Sequence, residues 1–548
     1  MNEVPELYDL AVVGSGFAGS LAAMIGRRLG LSVVLLERGR HPRMQIGESS
    51  TPLSNLLLEE LTTRYRLPHI RPMTKWGSWQ RTHPEVPCGL KRGFTFYQHS
   101  LDHPGPASYP GRERQLLVAA SPHDEIADTH WFRADFDRFL MEAAVKTGAD
   151  YYDQIHLKRL TDCGSHVLLE GCRKEPPPEP PYRPRPCAFR ARFVIDASGP
   201  SGFLWHALNL GERPLPGMPP TQALYSHFCG VARLADAQKS DEPCPYPPDD
   251  AAVHHIFPGG WIWVLRFNNG YTSAGAALTD ETAARFGLSH APGSPDAQPR
   301  YAAAWNQLLA RIPVLQAQFS KARLPRTTYP FSHIPRLSFR SAQIVGHRWA
   351  LLPSAASFVD PLLSTGFPLT LLGIQRLMTI LEQGPDAPDL DERLAGYAAQ
   401  TDADLLAAAR LIAALYGTMN NFPAFTALTM LYFAAVSYSE AARRLGKPQL
   451  AGSFLLHDHP QFGPAMRQIL EHAPAIRTPE QASHLAEQVR RAIEPINVAG
   501  LADPQRRNWY PVAADDLLNN ADKLQANRAE IEAMLDRCGF RQQSPVVS

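Results

Sequence analysis

Cysteine is scarce in this sequence, which has seven cysteines in 548 residues and no Cys-x-x-Cys pair. An odd, widely spaced set of this kind excludes a disulfide framework and a cysteine-based zinc site. We therefore expect no metal centre and a reducing, cytoplasmic environment. An excess of charge of one sign is also lacking, since the formal net charge is only +1. Nothing in the composition points to a nucleic-acid partner.

Long hydrophobic runs are missing as well. Residues 411–439 carry no charge, but glycine, asparagine and proline interrupt them. Their most apolar part, residues 424–436, is too short to cross about 30 Å of hydrocarbon. We expect buried helices that line a cavity, with no integral membrane span and with peripheral membrane contact as the minor alternative. The acidic residues 1–7 lead directly into a strand, so we expect no signal peptide.

The N-terminal region has the pattern of a complete βαβ unit. An apolar strand over residues 8–13 meets the turn Gly14-Ser15-Gly16-Phe17-Ala18-Gly19, and an alanine-rich helix leads to a second strand that ends in Glu37. The three glycines would allow the tight turn, the approach of a pyrophosphate and the close packing of helix on strand. An acid about 18 residues after the last glycine can hold a ribose hydroxyl. The pattern predicts dinucleotide binding; the alternative is a glycine-rich turn of any α/β protein.

Two later segments extend this predicted nucleotide site. An apolar strand over residues 193–196 ends in Asp196 and a small-residue turn, which predicts a second edge of the site. A helix predicted over residues 131–140 carries Arg133 near its start. This arginine can reach a pyrophosphate, or it can pair with Asp137 across one helical turn. Both interpretations stay open.

A loop and a lysine stand out between these segments. Residues 47–52, Gly-Glu-Ser-Ser-Thr-Pro, predict an exposed loop that introduces a helix and can line a ligand channel. Lys91 lies between Gly89 and Gly93, in a predicted turn before the strand around Phe94. A solvated surface lysine is the commoner case, and a pocket lysine is the competing interpretation.

The residue pattern changes in the middle of the chain, from about residue 172 to residue 340. Residues 172–187 contain seven prolines and predict an exposed hairpin tip or insertion. Short alternating runs from 214 to 340 predict an antiparallel sheet. Within it Trp261 and Trp263 point to one face, either as core packing or as the wall of a tunnel. His254 and His255 face opposite sides of their strand and cannot form a metal pair.

The chain then returns to the first domain. A strand leads into Asp360-Pro361, and Ser364-Thr365-Gly366 opens a helix whose free N–H groups predict an anion site. Beyond residue 389 the pattern is helical nearly to the end, with no internal repeat.

Together these motifs resemble the flavin-dependent halogenases, within the FAD monooxygenases shaped like p-hydroxybenzoate hydroxylase. The glycine turn, Glu37, Arg133 and Asp360-Pro361 are shared with the whole group. Gly260-Trp261-Ile262-Trp263 is more specific, because it matches the halogenase signature Gly-Trp-x-Trp-x-Ile-Pro at its tryptophans. Leu265-Arg266 stands where Ile-Pro is usual, so the match is poor just after them.

The lysine region carries the second specific motif. Lys91-Arg92-Gly93 looks like the Lys-x-Gly motif with the essential lysine of the family. The resemblance covers most of the chain and is closest to the branch that acts on small free phenols.

This resemblance implies an α/β fold in three parts. We expect a Rossmann-type FAD-binding domain of p-hydroxybenzoate hydroxylase type over 1–213 with 341–387, an antiparallel-sheet substrate domain over 214–340, and a helical region over 388–548 that covers the substrate. The residues implied in FAD binding are Gly14, Gly16, Phe17, Ala18, Gly19, Glu37, Arg38, Arg133, Asp196 and Asp360.

The resemblance also implies a reaction. FADH2 and oxygen supply the oxidant, chloride or bromide is held at the backbone of Ser364, Thr365 and Gly366, and hypohalous acid results. A tunnel walled by Trp261 and Trp263 would carry the acid to Lys91, the catalytic residue that activates it. The sequence has no second dinucleotide motif, so reduced flavin would come from a separate NAD(P)H-dependent flavin reductase.

The substrate expectation rests on Leu363. Tryptophan halogenases, by the resemblance, place a glutamate at this position, just before the Ser-Thr pair, and a phenol needs no such base. We expect an electron-rich phenol as substrate, free or tethered to a carrier protein, and no turnover of tryptophan. A homodimer, and the preference for chloride or bromide, stay open. The alternatives are an FAD-dependent aromatic monooxygenase or reductase of the same fold, and a flavin-binding scaffold or carrier-protein partner without turnover.

Overall fold

The computed structural model describes residues 6–105, 108–174, 184–233, 244–288, 297–325 and 330–541. The described strands, in chain order, are β1 (Leu7–Val13), β2 (Val33–Leu36), β3 (Cys88–Lys91), β4 (Gly93–Gln98), β5 (Gln115–Ala119), β6 (Asp128–Trp131), β7 (Asp150–Tyr152), β8 (Ile155–Asp162), β9 (Val167–Arg173), β10 (Arg185–Asp196), β11 (Thr221–Cys229), β12 (Ala252–Phe257), β13 (Gly260–Arg266), β14 (Tyr271–Thr279), β15 (Ser332–Ile334), β16 (Phe339–Arg340), β17 (Val345–Gly346), β18 (Trp349–Leu351), β19 (Ser357–Phe358) and β20 (Trp509–Tyr510).

The described α-helices are α1 (Phe17–Arg28), α2 (Pro52–Arg64), α3 (Trp76–Thr82), α4 (Arg133–Lys146), α5 (Phe203–Ala207), α6 (Asp280–Arg285), α7 (Ala297–Ala310), α8 (Pro313–Gln318), α9 (Pro353–Ala356), α10 (Gly366–Leu381), α11 (Leu390–Thr418), α12 (Phe422–Arg444), α13 (Phe462–His472), α14 (Pro479–Ile493), α15 (Ala514–Asn519) and α16 (Arg528–Arg537).

The first sheet has the order β17-β18-β10-β1-β2-β7, with β9 also paired to β10 and β8 to β9. Its centre is parallel, since β18, β10, β1, β2 and β7 all run the same way. The central strands read as unbroken apolar runs because the sheet is covered on both faces. Its parallel strands end together, so the turns after β1 and β10 meet at one edge, as in other nucleotide-binding sheets.

The predicted βαβ unit is confirmed as β1-α1-β2. Val12 pairs with Leu35 across the two strands, and α1 begins right after the glycine turn. A Cβ on Gly19 would lie 1.8 Å from the carbonyl oxygen of Gly14, and one on Gly26 would lie 2.9 Å from a methyl of Leu10. The helix approaches the strand this closely only because these positions carry no side chain.

The second sheet has the order β15-β11-β14-β13-β12-β4-β5-β20. Most of its neighbours are antiparallel, and β4 with β12 and β5 with β20 are the parallel pairs. Its strands therefore come not only from residues 214–340 but also from residues 93–119 and 509–510. The predicted α/β class is confirmed, and the three domain boundaries stay a prediction.

The C-terminal helices are buried around α12, which packs against α2, α11 and α14. Within the described ranges, α12 is the helix long and apolar enough to span a bilayer by length and composition, and 89% of its apolar window is buried in the protein. Core helices have the same composition when neighbouring elements cover them all round. The prediction of buried helices over residues 411–439 is thus confirmed.

Three local predictions need correction or restriction. Trp131 ends strand β6, and the helix predicted from this residue begins two residues later at Arg133. Lys91 lies at the end of strand β3 rather than in a turn, because β3 pairs with β6 along its whole length. Of the proline-rich segment, residues 175–183 lie outside the described residues; the strands on either side, β9 and β10, pair as an antiparallel hairpin.

Candidate active site

A cavity of about 540 Å³ opens where the carboxyl ends of the first sheet face the second sheet. Its size is typical of sites for organic ligands and cofactors. Its walls come mainly from five segments that are far apart in the sequence, with further contributions from Arg133, residues 334–339 and 353–354, and Leu405. The five segments are residues 16–18, 43–49, 197–201, 252–265 and 357–370, of which the lining members include Gly16, Glu48, Ser198, Trp261 and Thr365.

The glycine turn fits a dinucleotide at this cavity. Gly16, Phe17 and Ala18 line it, and they form the N-terminus of α1, where backbone N–H groups have no partner within the helix. A Cβ on Gly16 would be 3.5 Å from its nearest neighbour, an Arg43 nitrogen. The backbone at Gly16 is therefore open on the cavity side, as the approach of a pyrophosphate requires.

Gly14 has a different role from Gly16. Its φ of +98° is a conformation that side chains rarely adopt, and a Cβ there would lie 2.7 Å from the carbonyl oxygen of Ala197. Gly14 and Gly19 do not line the cavity. They shape the turn that points α1 toward it.

Glu37 lies at the end of β2, beside the glycine turn. Its Oε2 accepts hydrogen bonds from the backbone N–H and the hydroxyl of Ser15, both at 2.9 Å, and its Oε1 accepts one from the N–H of Gly39. Burial alone would raise the pKa of this carboxyl, but the nearby Arg43 and these donors hold the pKa below its ordinary value. Glu37 is thus an anion next to the cavity wall. The predicted Arg38 is exposed and does not line the cavity.

Arg133 makes the ion pair with Asp137 that the sequence offered as one of its two uses, and its contact with a pyrophosphate stays a prediction. Its guanidinium makes a bidentate ion pair with Asp137 at 2.7 and 2.8 Å, buried on both sides. Its remaining nitrogen donates to the carbonyl oxygens of Ile46 and Gly47, and the residue lines the cavity. Arg133 therefore fastens the loop after β2 to α4, close to Gly16.

Asp196 is turned away from the cavity. Its carboxylate accepts hydrogen bonds from the N–H and hydroxyl of Ser198 and from the N–H of Leu204. Burial raises its pKa. Asp196 stabilises the turn whose residues 197–201 line the cavity, so its contribution to the site is to hold this turn in place.

The two tryptophans lie on one face of β13, as predicted, with ring centroids 5.7 Å apart, and both line the cavity. The indole N–H of Trp261 donates to Asp360 at 3.2 Å. The other carboxylate oxygen of Asp360 accepts from the hydroxyl of Tyr416 at 2.8 Å. Burial raises the pKa of Asp360 to about 6. This network joins the tryptophan wall to α11.

The segment before α10 has an unusual backbone. Leu363 and Ser364 have φ angles of +63° and +55°, and Thr365 returns to right-handed values. Where residues with left-handed and right-handed backbone conformations follow one another, their N–H groups point toward one place and form an anion-binding concavity. Ser364, Thr365 and Gly366 line the cavity there, next to the N-terminus of α10. The side chain of Leu363 is buried and not among the lining residues.

Gly47, Glu48 and Ser49 line the cavity, as predicted for their loop, and so does His254, which sequence reasoning did not assign to the site. Glu48 lies in the predicted channel loop, but its buried carboxylate is held by a 2.7 Å contact to His227, a pairing over 179 residues that no local pattern indicates. The ring of His254 stacks on Phe96 with centroids 4.5 Å apart. Burial, with the charge of Lys91, lowers its pKa to about 3. His254 is therefore a neutral ring in the wall.

Lys91 is fully buried, with 0% of the residue exposed, so the surface alternative is wrong. Its Nζ donates to the hydroxyl of Ser49 at 2.9 Å and to the carbonyl oxygen of Ser50 at 2.5 Å. It also lies 3.8 Å from the ring centroid of Phe94, in a cation–π contact. Burial lowers the pKa of Lys91, and the carboxylate of Asp128 opposes this effect. Ser49 belongs to the large cavity, and Phe94 belongs to a second, smaller one.

Comparisons with known proteins identify the family and the fold. A family model described as tryptophan halogenase matches residues 133–422, just over half of the chain. The monodechloroaminopyrrolnitrin halogenase PrnC of Pseudomonas fluorescens is 29% identical over 376 residues, 68% of this chain and 60% of the relative. The tetracycline 7-halogenase of Kitasatospora aureofaciens is 29% identical over 375 residues, 66% of this chain and 61% of that protein. The chain thus matches about three fifths of the length of these relatives.

Solved structures show the same fold. The crystal structure of the halogenase PltM has a TM-score of 0.77 at 24% identity, covering 91% of this chain and 99% of PltM. PltM has also been solved in complex with phloroglucinol and FAD, with a TM-score of 0.76. The predicted resemblance is confirmed: the chain belongs to the tryptophan halogenase family, a family of flavin-dependent halogenases.

Proposed function

We propose that this protein halogenates an electron-rich phenol, using FADH2, oxygen and chloride or bromide. The observation that carries the proposal is the position of Lys91. A fully buried lysine is rare and costly, and this one touches the walls of two cavities through Ser49 and Phe94. A lysine at such a junction can receive a small oxidant from one cavity and present it to a substrate in the other.

The large cavity suits the cofactor and the halide. The pyrophosphate of FAD would lie at the N-terminus of α1, before Gly16, with Glu37 beside the adenosine ribose. The N–H groups of Thr365 and Gly366 would hold the halide, because the first turn of α10 and the concavity before it both favour an anion. When bound, reduced FAD supplies the electrons that reduce oxygen and allow the halide to be oxidised to hypohalous acid.

The residues of the chain then direct this acid. The indole rings of Trp261 and Trp263 form an apolar wall that excludes competing nucleophiles. The Nζ of Lys91 would hold the acid by a hydrogen bond. Because burial lowers the lysine pKa, a share of neutral amine is available at neutral pH, which also permits capture of the halogen on nitrogen.

A phenol is the substrate class that the residues favour. Leu363 stands where a glutamate would assist an indole, and the buried Glu48 is already paired with His227. The hydroxyl of a phenol donates electron density to its own ortho and para carbons, so the ring needs no glutamate at position 363, and the hydroxyl proton can leave to another acceptor. The PltM complex with phloroglucinol, a phenol, supports the same class.

A separate NAD(P)H-dependent flavin reductase would deliver the reduced flavin. The test combines the protein with such a reductase, FAD, NADH, bromide or chloride, and a panel of phenols, with mass spectrometry of the products. We expect mono- or dihalogenated phenols. Omission of the halide and omission of the reductase are the controls, and both should abolish the product.

Two other outcomes would select a different function. An oxygen atom added to the phenol, with no halogen, would indicate an aromatic monooxygenase of the same fold. Bound flavin that reacts with oxygen at one rate whether or not halide and phenol are present would indicate a scaffold without turnover.

A further inference from the structure

A second cavity, of about 160 Å³, is lined by aromatic and polar side chains from different parts of the chain. Phe94 of β4 and Asp128 of β6 come from the region around Lys91. Tyr432, Phe433 and Ser437 come from α12, the buried C-terminal helix. One aromatic ring fits a space of this size, and the cavity lies on the Phe94 side of Lys91.

Two residues that line this cavity each carry a buried polar atom with no hydrogen-bond partner among the described residues. These atoms are Oδ2 of Asp128 and the hydroxyl of Tyr432. Both residues are buried, with 6% and 1% of their surface exposed. A buried polar group without a partner is costly, so such groups in native structures call for an explanation, of which a ligand is one.

The carboxylate of Asp128 is also fixed in orientation. Its Oδ1 accepts a 2.8 Å hydrogen bond from the amide of Asn55 on α2. Its backbone is paired with that of Lys91, since Asp128 and Lys91 are direct neighbours across β3 and β6. The two hydrogen bonds of the Lys91 ammonium go to Ser49 and Ser50, not to Asp128. Oδ2 is thus left without a hydrogen-bond partner, on a residue that lines the cavity.

We propose that Asp128 is a catalytic base that accepts the hydroxyl proton of a phenol bound in the smaller cavity, with the Tyr432 hydroxyl as a second contact to the substrate oxygen. This inference rests on the proposed halogenase function. Because position 363 is leucine and cannot accept a proton, the inference gives this role to Asp128.

The phenol gives its O–H proton to Asp128 while the ring carbon takes the halogen from hypohalous acid, whose oxygen–halogen bond breaks. The products are a neutral halodienone and hydroxide. The halogenated carbon then loses its proton to the hydroxide, which forms water. Asp128 returns its proton to the substrate oxygen, and the halophenol leaves.

The surroundings of Asp128 suit this role. Burial raises its pKa above the ordinary value, while the positive charge of Lys91 and the hydrogen bond from Asn55 oppose the rise; Glu440 and Arg444 are the other charged groups that act on it. A carboxylate with a raised pKa is a stronger base at neutral pH, which is where general-base catalysis is most effective.

The test compares Asp128→Asn with the wild type on two substrates, resorcinol and its dimethyl ether. The asparagine keeps the shape and the contact to Asn55 but cannot take a proton. We expect kcat/KM for resorcinol to fall about 100-fold or more. For the ether, which has no proton to give, we expect a change within about threefold. Asp124→Asn, at an exposed carboxylate bound to Arg92, is the matched control and should behave as wild type on both substrates.

Equal losses on both substrates would overturn the inference, because they would mean that Asp128 acts only through the charge of Lys91. Undiminished resorcinol turnover would overturn it as well. Tyr432→Phe provides an independent arm: one lost hydrogen bond of about 1 kcal/mol should raise the KM for resorcinol about fivefold. An unchanged KM would contradict substrate binding in this cavity. A wild-type protein that halogenates neither compound would instead overturn the proposed function itself.

Discussion

The glycine turn offers a way to separate folding from cofactor binding. Gly16 has φ −66°, which any residue tolerates, and a Cβ there would lie 3.5 Å from its nearest neighbour, an ordinary contact. Gly16→Val should therefore fold, with a loss of unfolding free energy of about 1 kcal/mol or less. Its methyl groups would stand in the cavity, in front of the N–H groups of α1.

The binding cost can be estimated from those N–H groups. A hydrogen bond to a charged group contributes about 1.5–3 kcal/mol. The loss of one or two such bonds to the pyrophosphate, about 3 kcal/mol, should weaken FAD binding by roughly 100-fold. The assay is titration of the apoprotein with FAD, followed by flavin fluorescence, together with urea denaturation of the same sample.

Two neighbouring glycines are the controls. Gly19→Ala places a Cβ 1.8 Å from the oxygen of Gly14, and Gly14→Ala requires an alanine at φ +98° and 2.7 Å from a carbonyl oxygen. Both should lose roughly 3 kcal/mol or more of stability. An unchanged FAD dissociation constant for Gly16→Val would refute our placement of the nucleotide. Equal destabilisation of all three variants would refute the distinction between the roles of the glycines.

Lys91→Ala should retain FAD binding and flavin reoxidation while halogenated product disappears, as followed by stopped-flow absorbance and mass spectrometry; loss of FAD binding would make the lysine structural. Asp360→Asn should change the pH dependence of stability, because the folded carboxyl has its pKa raised to about 6. The wild type should lose about 3 kcal/mol of unfolding free energy as pH rises from about 3 to about 7, and in urea titrations the variant should not. In a side-by-side assay, a dihydroxybenzene should be halogenated ortho or para to a hydroxyl and free tryptophan should not. Efficient tryptophan turnover would mean that a carboxylate from elsewhere in the chain fills the role that Leu363 cannot.

The sequence by itself determined the parts of the molecule that depend on short-range patterns. Local patterns predicted the βαβ unit, the loop that introduces α2 and the helix that begins at Gly366. Glycine spacing, caps and apolar runs act within a few residues of one another, so the sequence alone shows them. The sequence also predicted that Trp261 and Trp263 share one face, because side chains alternate along a strand.

Tertiary structure decided which side chains the site uses. Asp196 looked like a site residue from its position after a strand, yet it stabilises its own turn. Glu48 is held by His227, 179 residues away. The sequence left Lys91 open between a surface lysine and a pocket lysine, and the tertiary structure buries it on β3, paired with Asp128 of β6. Burial and hydrogen-bond partners set the charge of a group and the atoms it can reach, and both depend on contacts between residues far apart in the chain, which no local pattern records.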